Sequence, residues 1–192
     1  DVYNAIDDET VAVMIELVQG EGGVFPFNKE KIKELAKFLK ENDILLIIDE
    51  VQTGVFRTGE FLASNLYDIE PDIITLAKGI GGGVPMGAVM TKHKDIWTAG
   101  DHGSTFGGNY LVTAAALEVL DILENLKDSG TLDETIIYFT KKLNDIFEAN
   151  RDIFITHVGL GLMRGLRVKD ADTLASLIKT AFEFGVMVLK SG

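Results

Sequence analysis

Lys78 stands where an apolar, strand-like segment gives way to a cluster of glycines. An ammonium group is costly to bury without a partner, so a lysine at the end of such a segment is unusual. Desolvation would favour the neutral amine, the form that attacks a carbonyl carbon to give a covalent Schiff base. Four glycines within the next five positions leave backbone space for a bulky planar ligand. A lysine whose apolar stem lets its charge reach solvent is the simpler alternative.

Asp49 ends a second apolar segment, Ile44 to Ile48, and is followed by Glu50. A pyridine-type cofactor withdraws electrons from its substrate only while its ring nitrogen is protonated, and a carboxylate opposite that nitrogen keeps it so. A charge-assisted hydrogen bond of this kind contributes about 1.5–3 kcal/mol. An aspartate that caps the next helix explains the residue equally well. The Asp-Glu pair also resembles the Mg²⁺-binding strand of a P-loop ATPase, although no G-x-x-x-x-G-K-[ST] motif accompanies it.

Alternating strands and helices must position these two residues. Thr10 to Leu17 is nearly all apolar, which is typical of a strand covered on both faces. Asn28 to Asn42 has apolar residues at helical spacing behind a capping asparagine. The strands that end near Asp49 and Lys78 follow, and this order predicts an α/β fold with a mainly parallel sheet. Ligands of such sheets lie beyond the carboxyl ends of the strands, where both residues fall.

The second half of the chain predicts a different arrangement. A polar segment, Lys127 to Gly130, marks a boundary. We therefore divide the chain into residues 1–127, the C-terminal part of a large α/β domain, and 128–192, a truncated small α+β domain. The pattern predicts a strand over 87–91, helices over 110–126, 132–150 and 172–184, and a hairpin over 154–168.

Composition excludes several classes of function. The chain has 192 residues, a net charge of −12 and no cysteine. An acidic surface disfavours nucleic acids and anionic membranes, because both are bound through Lys and Arg. No apolar run reaches membrane-spanning length. Disulfides and thiolate metal sites are excluded, and a cytoplasmic enzyme fits these features.

The histidines, and the two arginines of the predicted hairpin, indicate no separate metal or catalytic site. His93, His102 and His157 lack ligand spacing, so no metal site is expected. His102 lies near Thr105, and we expect His102 to have a structural and not a catalytic role. Arg164 and Arg167 flank a glycine in the predicted hairpin, and either contact with an anion or a solvated strand face explains them.

Four motifs together carry a family resemblance. They are IELVQGEGG at 15–23, DEVQTG at 49–54 with RTG at 57–59, LAKG at 76–79 with further glycines, and GSTFGGN at 103–109. Each is a weak signal alone, but their order and spacing resemble the class-III pyridoxal-phosphate-dependent aminotransferases over nearly the whole chain. The residues of the four motifs are most similar to those of the acetylornithine aminotransferases. Leu17 and Tyr110 depart from the pattern, since proline is usual at both positions.

The resemblance implies roles for three residues around the cofactor ring. Lys78 would bind pyridoxal 5'-phosphate covalently and would move a proton between the substrate carbon and the cofactor. Asp49 would pair with the pyridine nitrogen, and Gln52 would hydrogen-bond the phenolic oxygen.

The resemblance also implies roles for residues farther from the ring. Thr105, with Ser104 beside it, would contact the phosphate of the cofactor in the neighbouring subunit of a homodimer with a shared active site. Glu21 would hold or release a substrate-binding arginine. One pocket would thereby accept both an amine donor and a dicarboxylic oxo acid.

The implied fold is part of the large domain of a fold-type-I transferase, with part of a small domain. The implied reaction moves the side-chain amino group of N-acetylornithine to 2-oxoglutarate, giving glutamate, in arginine biosynthesis. Alternative donors are ornithine, succinylornithine, 4-aminobutyrate and succinyldiaminopimelate. An ATPase core and a non-catalytic dimerisation module are alternatives of other classes. Because the chain opens with Asp1 and the family's phosphate loop would precede it, we expect a C-terminal-half fragment that is inactive alone.

Overall fold

The computed structural model describes residues 2–192 and has an α/β architecture. The strands are β1 (Ala12–Ile15), β2 (Val18–Gln19), β3 (Phe25–Pro26), β4 (Leu45–Asp49), β5 (Ile73–Leu76), β6 (Ala88–Thr91), β7 (Phe154–Leu160) and β8 (Met163–Val168). The helices are α1 (Lys29–Glu41), α2 (Ala63–Tyr67), α3 (Tyr110–Asp128), α4 (Thr131–Ala149) and α5 (Ala171–Glu183), with 3-10 turns at Val2–Ala5 and Lys78–Gly81. All the predicted long elements are present, whereas β2, β3 and α2 were not predicted.

The central sheet has the strand order β1-β4-β5-β6. Strands β1, β4 and β5 run parallel, and β6 runs antiparallel to β5. The predicted mainly parallel sheet is therefore confirmed, with one antiparallel edge strand. The register places Asp49 of β4 beside Thr75 of β5, so both strands end at the same edge.

Helix α1 forms the main core with strand β4. Its cap is the predicted Asn28, whose Oδ1 accepts the Lys31 N–H at 3.0 Å. Ile32, Leu35 and Leu39 recur at helical spacing and are buried in one cluster with strand residues such as Leu46 and Ile48. Burial of each such side chain stabilises the fold by about 1.5–3 kcal/mol.

A second cluster holds the segment that follows Lys78. Ile80, in the 3-10 turn that Lys78 begins, is buried with Ile74 and Leu76 of β5 and Ala116 of α3. The cluster fixes the backbone after Lys78 without using the lysine side chain.

The β7–β8 hairpin packs on the segment that precedes α2. A Cβ added to Gly161 in its turn would lie 2.4 Å from the carbonyl carbon of Thr58, so only glycine fits there. The N–H of Leu162 donates to the carbonyl of Arg57 at 2.9 Å, and Leu160 packs against the main core. Contacts thus cross the boundary between residues 127 and 128, and the division into two domains stays a prediction.

The two departures from the family pattern have clear structural places. Leu17 is 0% exposed, and its carbonyl accepts the Tyr67 hydroxyl at 3.1 Å and the Phe27 N–H at 3.0 Å. Tyr110 is 95% exposed at the first position of α3, directly after the cap Asn109. Leu17 therefore fills space in the core, and Tyr110 begins a helix with a normal cap.

Within residues 2–192, no helix combines the length and the apolar character needed to cross a membrane.

Candidate active site

Asp49 presents one carboxylate oxygen at the carboxyl edge of the sheet. Its Oδ1 accepts the N–H of Val51 at 2.9 Å and the hydroxyl of Thr75 at 3.2 Å. Among residues 2–192, no hydrogen bond reaches Oδ2. The partly buried carboxylate is thus held through one oxygen, while the other is available to a ligand.

Glu50 has the structural role that the sequence left open for Asp49. Its carboxylate is 1% exposed and accepts the N–H groups of Ala63 at 3.0 Å and Ser64 at 2.8 Å, where α2 begins. Thr53 also donates its hydroxyl to Glu50. An anionic side chain is stabilised at a helix N-terminus because the N–H groups there lack helical partners. Glu50, and not Asp49, therefore accepts the free N–H groups of the first turn of α2, whose N-cap residue is Leu62.

Gln52 and Glu21 meet at the same edge. The Gln52 Nε2 lies 3.4 Å from the Glu21 Oε1, a long hydrogen bond. Gly20 makes this approach possible, because a Cβ at position 20 would lie 2.2 Å from the Gln52 Oε1. The sequence predicted a role for each of the two polar residues, but it did not predict their contact.

Lys78 begins its 3-10 turn with a φ of 48°, in the left-handed region that non-glycine residues seldom adopt. The sequence predicted that the Lys78 amine is shielded from water. That prediction is wrong for the part of the protein described, residues 2–192, because Lys78 is exposed there. Only the strand residues before Lys78 are covered by the core. Within the part of the chain described, Nζ forms no ion pair, so the amine is available to a ligand. Strained backbone of this kind occurs often at functional sites.

The glycines after Lys78 fall into two types. Gly82 has a φ of 59°, and a Cβ there would lie 2.5 Å from a Val119 methyl group, so packing requires glycine. Gly79 and Gly83 would meet nothing within 4 Å. Open space beside Lys78 agrees with the predicted room for a planar ligand.

Pyridoxal phosphate fits this donor set. One sheet edge carries an amine, a carboxylate and a side-chain amide, in Lys78, Asp49 and Gln52. Among residues 2–192 the amine has no ion-pair partner and one carboxylate oxygen has no hydrogen bond. These groups match a cofactor that has a reactive carbonyl, a basic ring nitrogen and a phenolic oxygen.

Ser104 and Thr105 belong to an exposed loop after β6. The Ser104 Oγ accepts the N–H of Gly107 at 2.9 Å, which closes a local turn. In the part of the chain that the structure describes, no hydrogen bond joins this loop to Asp49, Gln52 or Lys78. Contact of Thr105 with a second subunit's cofactor stays a prediction.

Arg164 and Arg167 have partners within the chain. The Arg164 guanidinium donates to the carbonyls of Gly159 and Gly161 and to the Thr140 hydroxyl, each at 3.0 Å. Burial lowers the pKa of Arg164 from its ordinary value. The Arg167 guanidinium lies 5.0 Å from the centre of the Phe25 ring. Both arginines thus tie the hairpin to its neighbours.

His102 lies in the same exposed stretch as Thr105. Its ring centre lies 6.1 Å from that of Trp97, which fits a structural residue. His93 contacts Asp72 and His157 packs near Phe147, so the three histidines are not gathered in one place.

Sequence reasoning missed Asp72, which lies at the opposite edge of the sheet. Its Oδ2 accepts the Leu46 N–H at 2.8 Å, and its Oδ1 lies 2.9 Å from the Lys92 Nζ and 3.0 Å from the His93 Nε2. Partial burial favours a higher pKa, but hydrogen bonds from Leu46, Lys92 and His93 together lower the pKa of Asp72 from 3.8 to about 2. From the sequence, the Pro71-Asp72 pair predicted only the start of a strand.

The whole chain, residues 1–192, matches the family described as Aminotransferase class-III. The chain belongs to the class-III aminotransferases. Membership in this family implies pyridoxal phosphate as the cofactor. It also removes support for the ATPase alternative, in agreement with the buried, helix-capping position of Glu50.

Two curated relatives illustrate the similarity in sequence. An acetylornithine aminotransferase of Wolinella succinogenes is 54% identical over 191 residues, covering 100% of this chain and 49% of that protein. A succinylornithine transaminase of Salmonella enteritidis is 43% identical over 191 residues, covering 97% of this chain and 47% of that protein. This class-III chain therefore spans about half the length of the relatives it matches.

Two solved structures illustrate the similarity in fold. The ornithine aminotransferase of Toxoplasma gondii has a TM-score of 0.85 at 32% identity, covering 94% of this chain and 44% of that one. The acetylornithine aminotransferase of Elizabethkingia anophelis has a TM-score of 0.85 at 31% identity, covering 94% of this chain and 48% of that one. The fold predicted from the class-III motifs is confirmed.

Proposed function

We propose that the protein moves the side-chain amino group of N-acetylornithine to 2-oxoglutarate, giving glutamate, and that it serves arginine biosynthesis. The observation that carries the proposal is the sheet edge where Asp49 and Lys78 follow neighbouring strands, with the Asp49 Oδ2 and the Lys78 amine lacking partners among residues 2–192. The donor is supported by the 54% identity to a protein named acetylornithine aminotransferase. The acceptor and the pathway follow from the family resemblance.

Lys78 and Asp49 divide the central chemistry. Bound pyridoxal phosphate supplies an electron-withdrawing ring that makes the substrate carbon acidic. Lys78 holds the cofactor through its amine and carries the proton to and from the substrate carbon. Asp49 directs its free oxygen toward the ring nitrogen and keeps that nitrogen protonated.

Glu21 and Gln52 act at the side of the pocket that receives substrate. Among residues 2–192, the exposed Glu21 carboxylate has one weak hydrogen bond, donated by Gln52 at 3.4 Å. A carboxylate held so loosely exchanges partners at little cost, which supports a gate that pairs with an arginine in one half-reaction only. Gln52 would hydrogen-bond the phenolic oxygen of the cofactor.

The partner subunit completes the proposal. Ser104 and Thr105 lie on an exposed loop that makes no hydrogen bond to the local site in residues 2–192. This position suits contact with the cofactor phosphate of a second copy in a homodimer with a shared active site. The cytoplasmic location stays a prediction from composition.

Succinylornithine and ornithine are the alternative donors with the best support. A relative named succinylornithine transaminase is 43% identical, and ornithine aminotransferases are among the similar solved structures. The three donors carry the same side-chain amine and differ in the group on the α-nitrogen. The residues at this sheet edge do not distinguish those groups.

A donor competition assay on the full-length protein tests the proposal. Glutamate formation from 2-oxoglutarate is measured with N-acetylornithine, succinylornithine and ornithine in separate reactions, and the Lys78→Ala variant gives the background. We expect the largest kcat/KM with N-acetylornithine. A larger value for another donor would reject the donor assignment, and no glutamate from any of the three would reject the proposed function.

A further inference from the structure

Thr75 makes a contact that the roles described above do not use. It lies beside Asp49 in the register of β4 and β5, three residues before Lys78. Its hydroxyl donates to the Asp49 Oδ1 at 3.2 Å, and the Val51 N–H donates to the same oxygen at 2.9 Å. Both donors therefore act on one oxygen of the Asp49 carboxylate.

Two donors on one oxygen fix the direction of a carboxylate. The terminal torsion of an aspartate side chain is broad, so a carboxylate without such bonds rotates among many orientations. Hydrogen bonds to Oδ1 from two directions restrict that rotation and leave Oδ2 pointing away from both donors. Because the Val51 donor is a backbone group, the Thr75 hydroxyl is the part of this arrangement that a substitution can remove.

We propose that Thr75 is a positioning residue, which orients the Asp49 carboxylate so that Oδ2 faces the ring nitrogen of the cofactor. The inference rests on the proposed role of Asp49. Thr75 thereby connects the two functional strand ends, because β5 carries both Thr75 and the segment that leads to Lys78. A β-branched residue that merely suits a strand is the competing explanation.

Valine and serine separate the two explanations. Thr75→Val keeps the β-branched shape and loses the hydroxyl, whereas Thr75→Ser keeps the hydroxyl and loses the methyl group. A positioning role predicts a defect in Thr75→Val and rescue in Thr75→Ser. A role in packing alone predicts the reverse order.

The experiment uses the full-length protein with pyridoxal phosphate. Three quantities are measured for the wild type and for both variants: the dissociation constant of the cofactor, the visible circular dichroism per bound cofactor, and kcat. The dichroism reports how rigidly the ring is held in its asymmetric surroundings, and it does not depend on turnover. For Thr75→Val we expect kcat to fall about ten-fold, cofactor affinity to weaken about three-fold and the dichroism signal to decrease, as befits one lost hydrogen bond to a charged group. For Thr75→Ser we expect all three within about two-fold of wild type.

Two outcomes would overturn the inference. The first is a Thr75→Val variant that matches wild type in dichroism and kcat. The second is a defect in Thr75→Ser that equals or exceeds the defect in Thr75→Val. Thr75→Ala also lacks the hydroxyl and replaces Thr75→Val in the comparison if the valine variant does not fold.

Asp49→Asn, measured in parallel, separates this inference from the proposed function. A defect in Asp49→Asn with normal Thr75→Val would overturn only the role of Thr75. A normal Asp49→Asn would overturn the role of Asp49, and the Thr75 inference with it.

Discussion

Two aspartates at opposite edges of one sheet show how a structural carboxylate differs from an available one. Asp72, at the amino end of β5, uses both of its oxygens, with the Leu46 N–H on one and Lys92 and His93 on the other. Asp49, at the carboxyl end of β4, uses only Oδ1 among residues 2–192. A carboxylate whose hydrogen-bonding capacity is filled by the fold stabilises the fold. One that keeps an oxygen free can serve a ligand.

The largest expected effect concerns the lysines that accompany these two edges. Lys78→Ala removes the amine that we propose binds the cofactor, so we expect turnover to fall by at least about 10³-fold with little change in thermal stability, since the side chain is exposed. Lys92→Ala is the matched control, because Lys92 pairs with Asp72 at the other edge. Steady-state kinetics should give near-normal turnover for it. Equal losses in both variants would remove the distinction between the edges.

Asp49→Asn tests the free oxygen directly. Asparagine keeps the shape but loses the charge that, in the proposed role of Asp49, holds the ring nitrogen protonated, so we expect kcat to fall about 10²–10³-fold. Cofactor affinity, measured by equilibrium titration, should change much less. Near-normal turnover would mean that Asp49 serves only the turn it forms with Val51.

The long elements of this fold were predictable because periodicity is strong in long segments. Helix α1 illustrates this, since its apolar spacing and its Asn28 cap are both local features. The two-residue strands β2 and β3 and the five-residue α2 were not predictable, because such short segments have no measurable period. Helix α2 also depends on Glu50, a cap 13 residues earlier in the chain, and no local pattern reveals such a contact.

The motifs named the candidate site residues, whose roles stay predictions, but the contacts of these residues were not predictable. The hydrogen bond between Thr75 and Asp49 depends on the register of two strands, which sequence does not specify. The contact between Gln52 and Glu21 depends on a loop that folds back over Gly20. The exposure of Lys78 depends on what covers the strand end, and residues 2–192 leave it open.

We expect Asp72→Asn to lower the stability of the fold, whereas we expect Asp49→Asn to lower turnover. Removing the charge weakens three hydrogen bonds, so we expect a loss of about 1–2 kcal/mol at neutral pH and near-normal kcat. Because the folded pKa of Asp72 is about 2, below the ordinary 3.8, its ionised form stabilises the fold above pH 3.8, and this contribution is lost as the pH falls toward about 2. Thermal unfolding of wild type and Asp72→Asn should therefore converge at low pH. A difference at pH 2 as large as the one at neutral pH would contradict the assignment.

The smallest expected effect concerns Glu21. Glu21→Ala frees the proposed arginine partner permanently, so the half-reaction with 2-oxoglutarate should be favoured over that with the amine donor by up to about five-fold, the value of an exposed ion pair. Single-turnover kinetics of each half-reaction measure this ratio, and Glu21→Gln is the control that keeps the hydrogen bond with Gln52. An equal change in both half-reactions would exclude a gate.

The central claim is that the open edge of the sheet anchors the cofactor through Lys78. Borohydride reduction of the full-length protein with pyridoxal phosphate makes the covalent link permanent, and mass spectrometry of the digested protein locates it. We predict one pyridoxyl group per chain, on the peptide that contains Lys78. A label on Lys92, Lys94 or another lysine, or a reduced protein without label, would contradict the account.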